Sequence, residues 1–296
     1  MINFNKFYKL FNIISIILVI LSILLLLFKG LNFGVDFKGG TLIELRINDK
    51  QTNVSILRKS FNNMKLGNVN VKKFGNENDF LIKFEKKDIK PNTIKDIKNE
   101  LTESIGNSFN FRRVEIVGPK VSSELLKSGI IAIALSLAAM LFYIWIRFEW
   151  QFSLGAILAL FHDVIITLGF FSLFSLEINL SIVAAVLTIV GYSMNDTVVI
   201  YDRVRENLRK FSDIKIFELT NISINETLSR TIITSVTTLL ALISIYLFGG
   251  EILRGFSLAM ILGVVFGTYS SIYIANTVLV RLNVSHKTIM NADEKN

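Results

Sequence analysis

Asn195 and Asp196 stand side by side in VLTIVGYSMNDTVVIYDRVREN (residues 186–207), a segment that opens apolar and closes charged. A carboxylate at membrane depth costs about 2.5–3.5 kcal/mol on insertion scales, which makes it a functional candidate by default. The competing reading is that Asp196 lies in the headgroup layer and is merely solvated. Asp202 is six residues further on, about 9 Å along a helix, so an interface at Asp202 leaves Asp196 inside the hydrocarbon edge. The natural counter-charge is Arg230. Ser223-Ile224-Asn225-Glu226 reads as a capping box at the head of the next apolar stretch, and Arg230 follows the cap by seven residues, about 10 Å. The two segments run in opposite directions, so Asp196 and Arg230 reach comparable depth. An Asp196–Arg230 ion pair is the expected way to make either tolerable there.

Thr234, Thr237 and Thr238 continue on the face of Arg230 and could hold water or pass protons. The alternative is a static ion pair that holds two helices in register. His162 and Asp163 form a second polar insertion, and His162 is the kind of group that titrates near neutrality. Adjacent helical positions point about 100° apart, so the two need not share a site. A relay role and separate hydrogen bonds to neighbouring helices both fit.

Other chemistry finds little support. Gly34-Val35-Asp36-Phe37-Lys38-Gly39-Gly40 has glycines and a lysine but lacks the ending of a phosphate loop. Its glycines fit a turn between a span and a strand. There is no Gly-x-Ser-x-Gly elbow, no cysteine, and only His162 and His286 as imidazoles. Neither a metal, a cofactor nor an enzymatic activity is expected.

The elements that must position these residues follow from hydropathy. The chain is 51% hydrophobic with mean hydropathy +0.52, a polytopic membrane profile. Apolar stretches at 10–28, 129–146, 153–174, 180–201, 223–248 and 255–280 predict six transmembrane helices, the first uncleaved. Ser122 or Ser123 could cap the helix leading into the second span. Residues 203–215 read as a basic loop, and residues 175–179 as a tight turn. Gly255, Gly263 and Gly267 suit close helix packing in the sixth span.

Between the first two spans the grammar changes. Residues 41–47 alternate like a strand, and Asn53 can cap a helix over 54–64. Two strands at 68–74 and 79–85 flank Gly75-Asn76. Asn92 opens a second helix bearing Ile94, Ile97, Leu101 and Ile105, and residues 109–117 form a last strand. The expected organisation is a cytoplasmic N-terminus and first helix (1–29), a small α+β ferredoxin-like βαββαβ domain (30–127), helices two to six (128–281) and a polar tail (282–296).

The net charge of +8 is concentrated beside the apolar segments, which points to membrane topology and away from nucleic acid. Basic residues collect at the N-terminus, around Arg147, at 203–215 and in the tail, whereas the opposite turns hold only Arg254. Both termini are therefore expected in the cytoplasm and the small domain outside.

GVDFKGGTLIEL (34–45), VGPKVSSEL (117–125), FHDVIITLGFF (161–171), VGYSMNDTVVIYDRVREN (190–207) and INETLSRTIITS (224–235) together resemble the SecD/SecF family of bacterial Sec protein-export membrane subunits. That resemblance implies half of an RND-type bundle in the bacterial inner membrane. It implies a SecD-like partner, the SecYEG channel and YajC as partners, membrane lipid around it, and a translocating preprotein as substrate. Asp196 and Arg230 match the family's proton-relay carboxylate and arginine, and the implied function is proton-motive-force-driven assistance to translocation. Asn195, His162, Asp163, Thr234 and Thr237 are candidate supporting polar residues, and the resemblance assigns Asp163 no defined role. The rivals are an RND-type permease for a small molecule or lipid, which would need a larger outside region, and a non-transporting scaffold, which would not need a charged pair at depth.

Overall fold

Apolar sequence folds as helix wherever water cannot satisfy the backbone, because a helix closes its N–H and C=O groups on itself. The computed structural model describes residues 1–48, 53–64, 66–73, 78–84, 93–106 and 108–293. Among the described residues six helices are long and apolar enough to cross a membrane: Phe4–Phe28, Pro119–Arg147, Trp150–Leu173, Leu180–Lys210, Ile216–Phe248 and Leu253–Arg281. The chain is a polytopic helical membrane protein.

In chain order the elements are α1 (Tyr8–Phe28), β1 (Asn32–Phe33), α2 (Val35–Lys38), β2 (Gly40–Ile47), α3 (Val54–Asn63), β3 (Val69–Lys73) and β4 (Asp79–Phe84). There follow α4 (Thr93–Ile105), β5 (Phe109–Val117), α5 (Pro119–Arg147), α6 (Trp150–Leu173), β6 (Glu177–Ile178) and α7 (Leu180–Lys210). The last are α8 (Ile216–Phe248), α9 (Glu251–Ser270), α10 (Asn276–Arg281) and α11 (His286–Asp293). Two compact units result, one of residues 1–32, 132–176 and 181–296, the other of 33–131 with 177–180.

The larger unit is a helical bundle in which α6, α7 and α9 are the most buried. Glycines set the α7–α9 contact. A Cβ at Gly263 would stand 2.2 Å from Ile189 Cγ1, and one at Gly267 would stand 3.2 Å from Ser193 Cα. Between α9 and α10 lies a π-turn, Ser271–Ala275, which the apolar pattern of the sixth span does not reveal. Its loosened carbonyls find other donors: Asn276 Nδ2 donates to Ser271 O at 2.8 Å, and Tyr201 O–H to Ala275 O at 3.0 Å.

Three expected boundaries are corrected. The fifth span starts at Ile216, not at Ser223, because buried Ile216 and Leu219 carry the helix into the core. Ser223 is therefore internal, its hydroxyl donating to Leu219 O at 2.9 Å, and no capping box forms. The stretch after Tyr201 is helix up to Lys210, since Arg203–Glu206 and Glu206–Lys210 pair at helical spacing. The second long helix begins at Pro119, whose missing N–H suits a first turn, and Ser122 bonds back to Gly118 O instead of capping.

In the smaller unit an antiparallel sheet of order β3-β4-β2-β5 carries α3 and α4. Alternation along β2 sends Ile43, Leu45 and Ile47 into one core with Leu57, Phe61, Ile82, Phe84, Ile97 and Leu101. Asn53 Oδ1 caps α3 by accepting from Ser55 and Ile56 N–H. Between Glu44 and Leu45 the register with β5 slips by one residue, and Arg112 at that bulge reaches Asp79, which also binds Arg46. The expected strand ends Phe74 and Glu85, the Gly75-Asn76 turn and the helix start at Asn92 lie outside the described residues.

Candidate functional site

Two carboxylates sit in the buried middle of the bundle, and their surroundings differ. Asp163, on α6, is fully buried. Its Oδ2 accepts from Ser193 Oγ on α7 at 2.6 Å and from Ser270 Oγ on α9 at 2.8 Å. Its Oδ1 lies 2.8 Å from His162 Nδ1. The two adjacent residues thus share one site, although neighbouring helical positions point about 100° apart. His162 Nε2 is buried without a partner among the described residues, and the ring stacks on Tyr269 at 5.8 Å. Tyr269 O–H in turn donates to Phe11 O at 2.7 Å. This cluster ties α1, α6, α7 and α9 together.

Asp196, on α7, is 2% exposed. Its one hydrogen-bond partner among the described residues is Thr268 of α9, whose hydroxyl donates at 3.3 Å. Thr268 is linked onward to Ser235 Oγ of α8 at 2.8 Å. The neighbouring Thr197 pairs with Ser271 Oγ at 2.7 Å. The hydroxyls of Thr268 and Ser270 on α9, and of Ser271 just after it, therefore contact Asp196, Asp163 and Thr197 respectively.

The expected Asp196–Arg230 ion pair does not form within this chain. Arg230 lies within electrostatic range of Asp196, but its side chain is exposed, as is that of Asn195. Both lie on the uncovered side of α7 and α8. Thr234, half-buried, donates to Arg230 O at 3.0 Å, and Thr237, exposed, to Ile233 O at 2.8 Å. Thr238 donates to Thr234 O and accepts from Tyr192 O–H at 3.4 Å. The threonines line the face of α8 and use their hydroxyls on their own helix.

Ser193, Thr268, Ser270 and Ser271 were not singled out from the sequence, although each touches a carboxylate or the residue beside one. The readable signal is the cluster of small hydroxyls in GTYSS (267–271) within an apolar span, the residue types that bond helices together in lipid. Toward the C-terminal end of α7, Arg203 holds Glu226, Asn207 Nδ2 donates to Glu226 Oε2 at 2.7 Å, and Arg147 pairs with Asp202 at 2.8 Å. Among the described residues no group of acidic, histidine or cysteine side chains could hold a metal ion.

Comparison with known proteins meets this architecture along nearly its whole length. Residues 97–285 match the family model "Protein export membrane protein SecD/SecF, C-terminal", and residues 24–49 match the SecD/SecF GG motif. The protein translocase subunit SecF of Rickettsia bellii is 49% identical over 250 residues, covering 84% of this chain and 82% of that one. SecF of Cereibacter sphaeroides is 43% identical over 265 residues, covering 86% and 81%. The crystal structure of SecDF from Thermus thermophilus, a translocon-associated membrane protein, superposes with a TM-score of 0.85 at 35% identity over 95% of this chain. A SecDF in a super-membrane-facing form gives 0.70 at 34% identity. This chain spans 38% and 40% of those two solved chains. The chain belongs to the SecD/SecF family of protein export membrane proteins.

Proposed function

We propose that the chain is an auxiliary subunit of the Sec translocase that uses the proton-motive force, with a SecD-like partner, to promote preprotein translocation and release across the bacterial inner membrane. It works beside the SecYEG channel and YajC. Asp196 takes up and gives up the proton, and Arg230 answers the change in its charge. The observation that carries this reading is the contrast between the two carboxylates. Asp163 is tied by three groups from three helices, whereas Asp196 keeps a single hydroxyl contact. A group that must gain and lose a proton cannot be held by bonds that specify one charge state.

Charge on Asp196 attracts Arg230 across low-dielectric surroundings, and protonation removes that attraction. Arg230, unpartnered by any acid among the described residues and exposed on α8, is then released. The SecD-like partner covers this uncovered face of α7 and α8, which brings Asn195 and Arg230 into a shared interior. Support for such a partner comes from the solved SecDF, in which this chain's counterpart is 38% of a longer molecule.

The smaller unit, with βαββαβ order and its two helices over one core, is a ferredoxin-like domain that faces outward and engages the emerging preprotein. Basic residues place the N-terminus, the Arg147 turn, the 203–215 region and the tail in the cytoplasm. Because the chain has no cysteine, sided labelling is unambiguous. Glu103→Cys, on the exposed side of α4, is expected to react with an impermeant maleimide in intact cells, and Ser212→Cys only after permeabilisation. Outside labelling of Ser212→Cys would invert the topology.

The coupling is tested at Arg230. Arg230→Gln is expected to eliminate gradient-dependent export. Arg230→Lys, which keeps the charge but not the planar fork, is expected to retain part of it. Export is measured in inverted vesicles with and without an uncoupler, and equal behaviour of Gln and wild type would refute the role of the guanidinium.

A further inference from the structure

Gly34, Asp36 and Lys83 close on the four residues that open α7. Gly34 N–H donates to Ile178 O at 2.8 Å, and β1 pairs with β6. Lys83 pairs with the Glu177 carboxylate. Asp36 Oδ2 accepts the N–H of Leu180, the first residue of α7, at 2.9 Å. Space at Gly34 is part of the arrangement: a Cβ there would stand 2.5 Å from Glu177 Oε1. The one-turn α2 presents Asp36, and Gly39, at φ +78°, ends that turn in a conformation that favours glycine. The contacts of Gly34, Asp36 and Lys83 lie within the unit of residues 33–131 and 177–180.

An N-cap as a rule comes from the residue adjoining its helix. Here the acceptor lies 144 positions away in sequence. An N-cap side chain reaches the N–H of the second or third helical residue, so the N–H of Leu180, the first, takes its acceptor from elsewhere in the chain, and that acceptor ties the start of α7 to the β2–α3–β3–β4–α4–β5 unit. From Leu180, α7 runs without interruption to Lys210 and carries Asp196 sixteen residues along, about 24 Å. The carboxylate also suits the positive end of the helix dipole.

We infer that Asp36 is a positioning residue for proton-driven export, the point at which the smaller unit grips the helix that bears Asp196. Axial or rotational displacement of α7 is delivered through Leu180 to Asp36, and through Glu177 to Lys83 on β4. Loading of the smaller unit returns to α7 by the same contacts. The inference rests on the reading of Asp196 as the proton-exchanging group.

The test uses the full chain with its partner subunit in proteoliposomes containing the translocation channel. It combines gradient-dependent export with amide hydrogen exchange over residues 178–183. Asp36→Ala is expected to assemble with the partner, to speed exchange there about fivefold to tenfold, and to lower gradient-dependent export to the level of Asp196→Asn. Asp36→Asn, which retains an oxygen able to cap, is expected to restore both. A merely structural cap would speed exchange in Asp36→Ala yet leave the response of export to the gradient intact, and that result overturns the inference. So does unchanged exchange, since the cap would then not be made. Should Asp196→Asn itself keep the wild-type response, the proton reading falls on that variant alone, and the inference falls with it.

Discussion

Asp196→Asn is expected to yield a chain that inserts, folds and assembles normally, with export that no longer responds to the proton gradient. The amide oxygen can still accept the Thr268 hydroxyl, which donates to Asp196 Oδ2 at 3.3 Å, so the α7–α9 contact survives. Shape and volume are nearly unchanged, and a neutral side chain is cheaper to hold among buried neighbours than a carboxylate. What disappears is the ability to alternate between charged and neutral, and with it any reason for Arg230 to move. Export measured across a series of imposed gradients should fall onto the uncoupler-treated wild-type line, with no slope. A wild-type slope in Asp196→Asn would mean that the residue is a structural tie and that protons enter the work elsewhere.

Asp163→Ala is expected to fail differently, by loss of stability. The substitution leaves Ser193 Oγ, Ser270 Oγ and His162 Nδ1 without their shared acceptor inside a fully buried site. Unsatisfied buried polar groups cost about 1–3 kcal/mol each in water-soluble proteins, and interhelical bonds in membranes average about 0.6 kcal/mol. Three such losses, partly relieved by rearrangement, amount to about 2–3 kcal/mol. For a bundle of this size that lowers the thermal midpoint by about 5–10 °C. Melting in detergent followed by circular dichroism reads the effect. An unchanged midpoint combined with lost gradient-driven export would transfer Asp163 from the framework to the proton path.

These two outcomes reflect what could and could not be read from residues alone. The spans, the alternation of β2 and the Asn53 cap are local properties, fixed by hydropathy, period and a side chain's reach to its own backbone. Contacts between distant segments were not legible in the same way. Ser193 and Ser270 meet Asp163 only because three helices converge, and Leu180 meets Asp36 across 144 residues. The Arg203–Lys210 stretch looked like a loop because it is charged, yet its pairs at three- and four-residue spacing hold it helical. Ser223-x-x-Glu226 had the right letters for a cap but lies within a helix whose apolar core contacts begin at Ile216. Arg230 illustrates a different limit: counting along a helix gives depth but not the side a residue takes, and Arg230 is exposed.

The π-turn at Ser271–Ala275 has a consequence for the phase of the sixth span. One extra residue in a turn advances everything beyond it by about 100° relative to an uninterrupted helix. Before that step Thr268 and Ser270, and at its first position Ser271, point their hydroxyls at α6 and α7. Downstream, Thr277 accepts from Asn12 Nδ2 of α1 at 2.9 Å, and buried Leu279 enters the core. The extra residue sets where the downstream side chains fall against their neighbours. Deleting one residue between 271 and 275 would give a more regular helix and a worse protein. Each half would keep its own hydrogen bonds, but the two halves would no longer be in phase with the neighbours they were cut to meet.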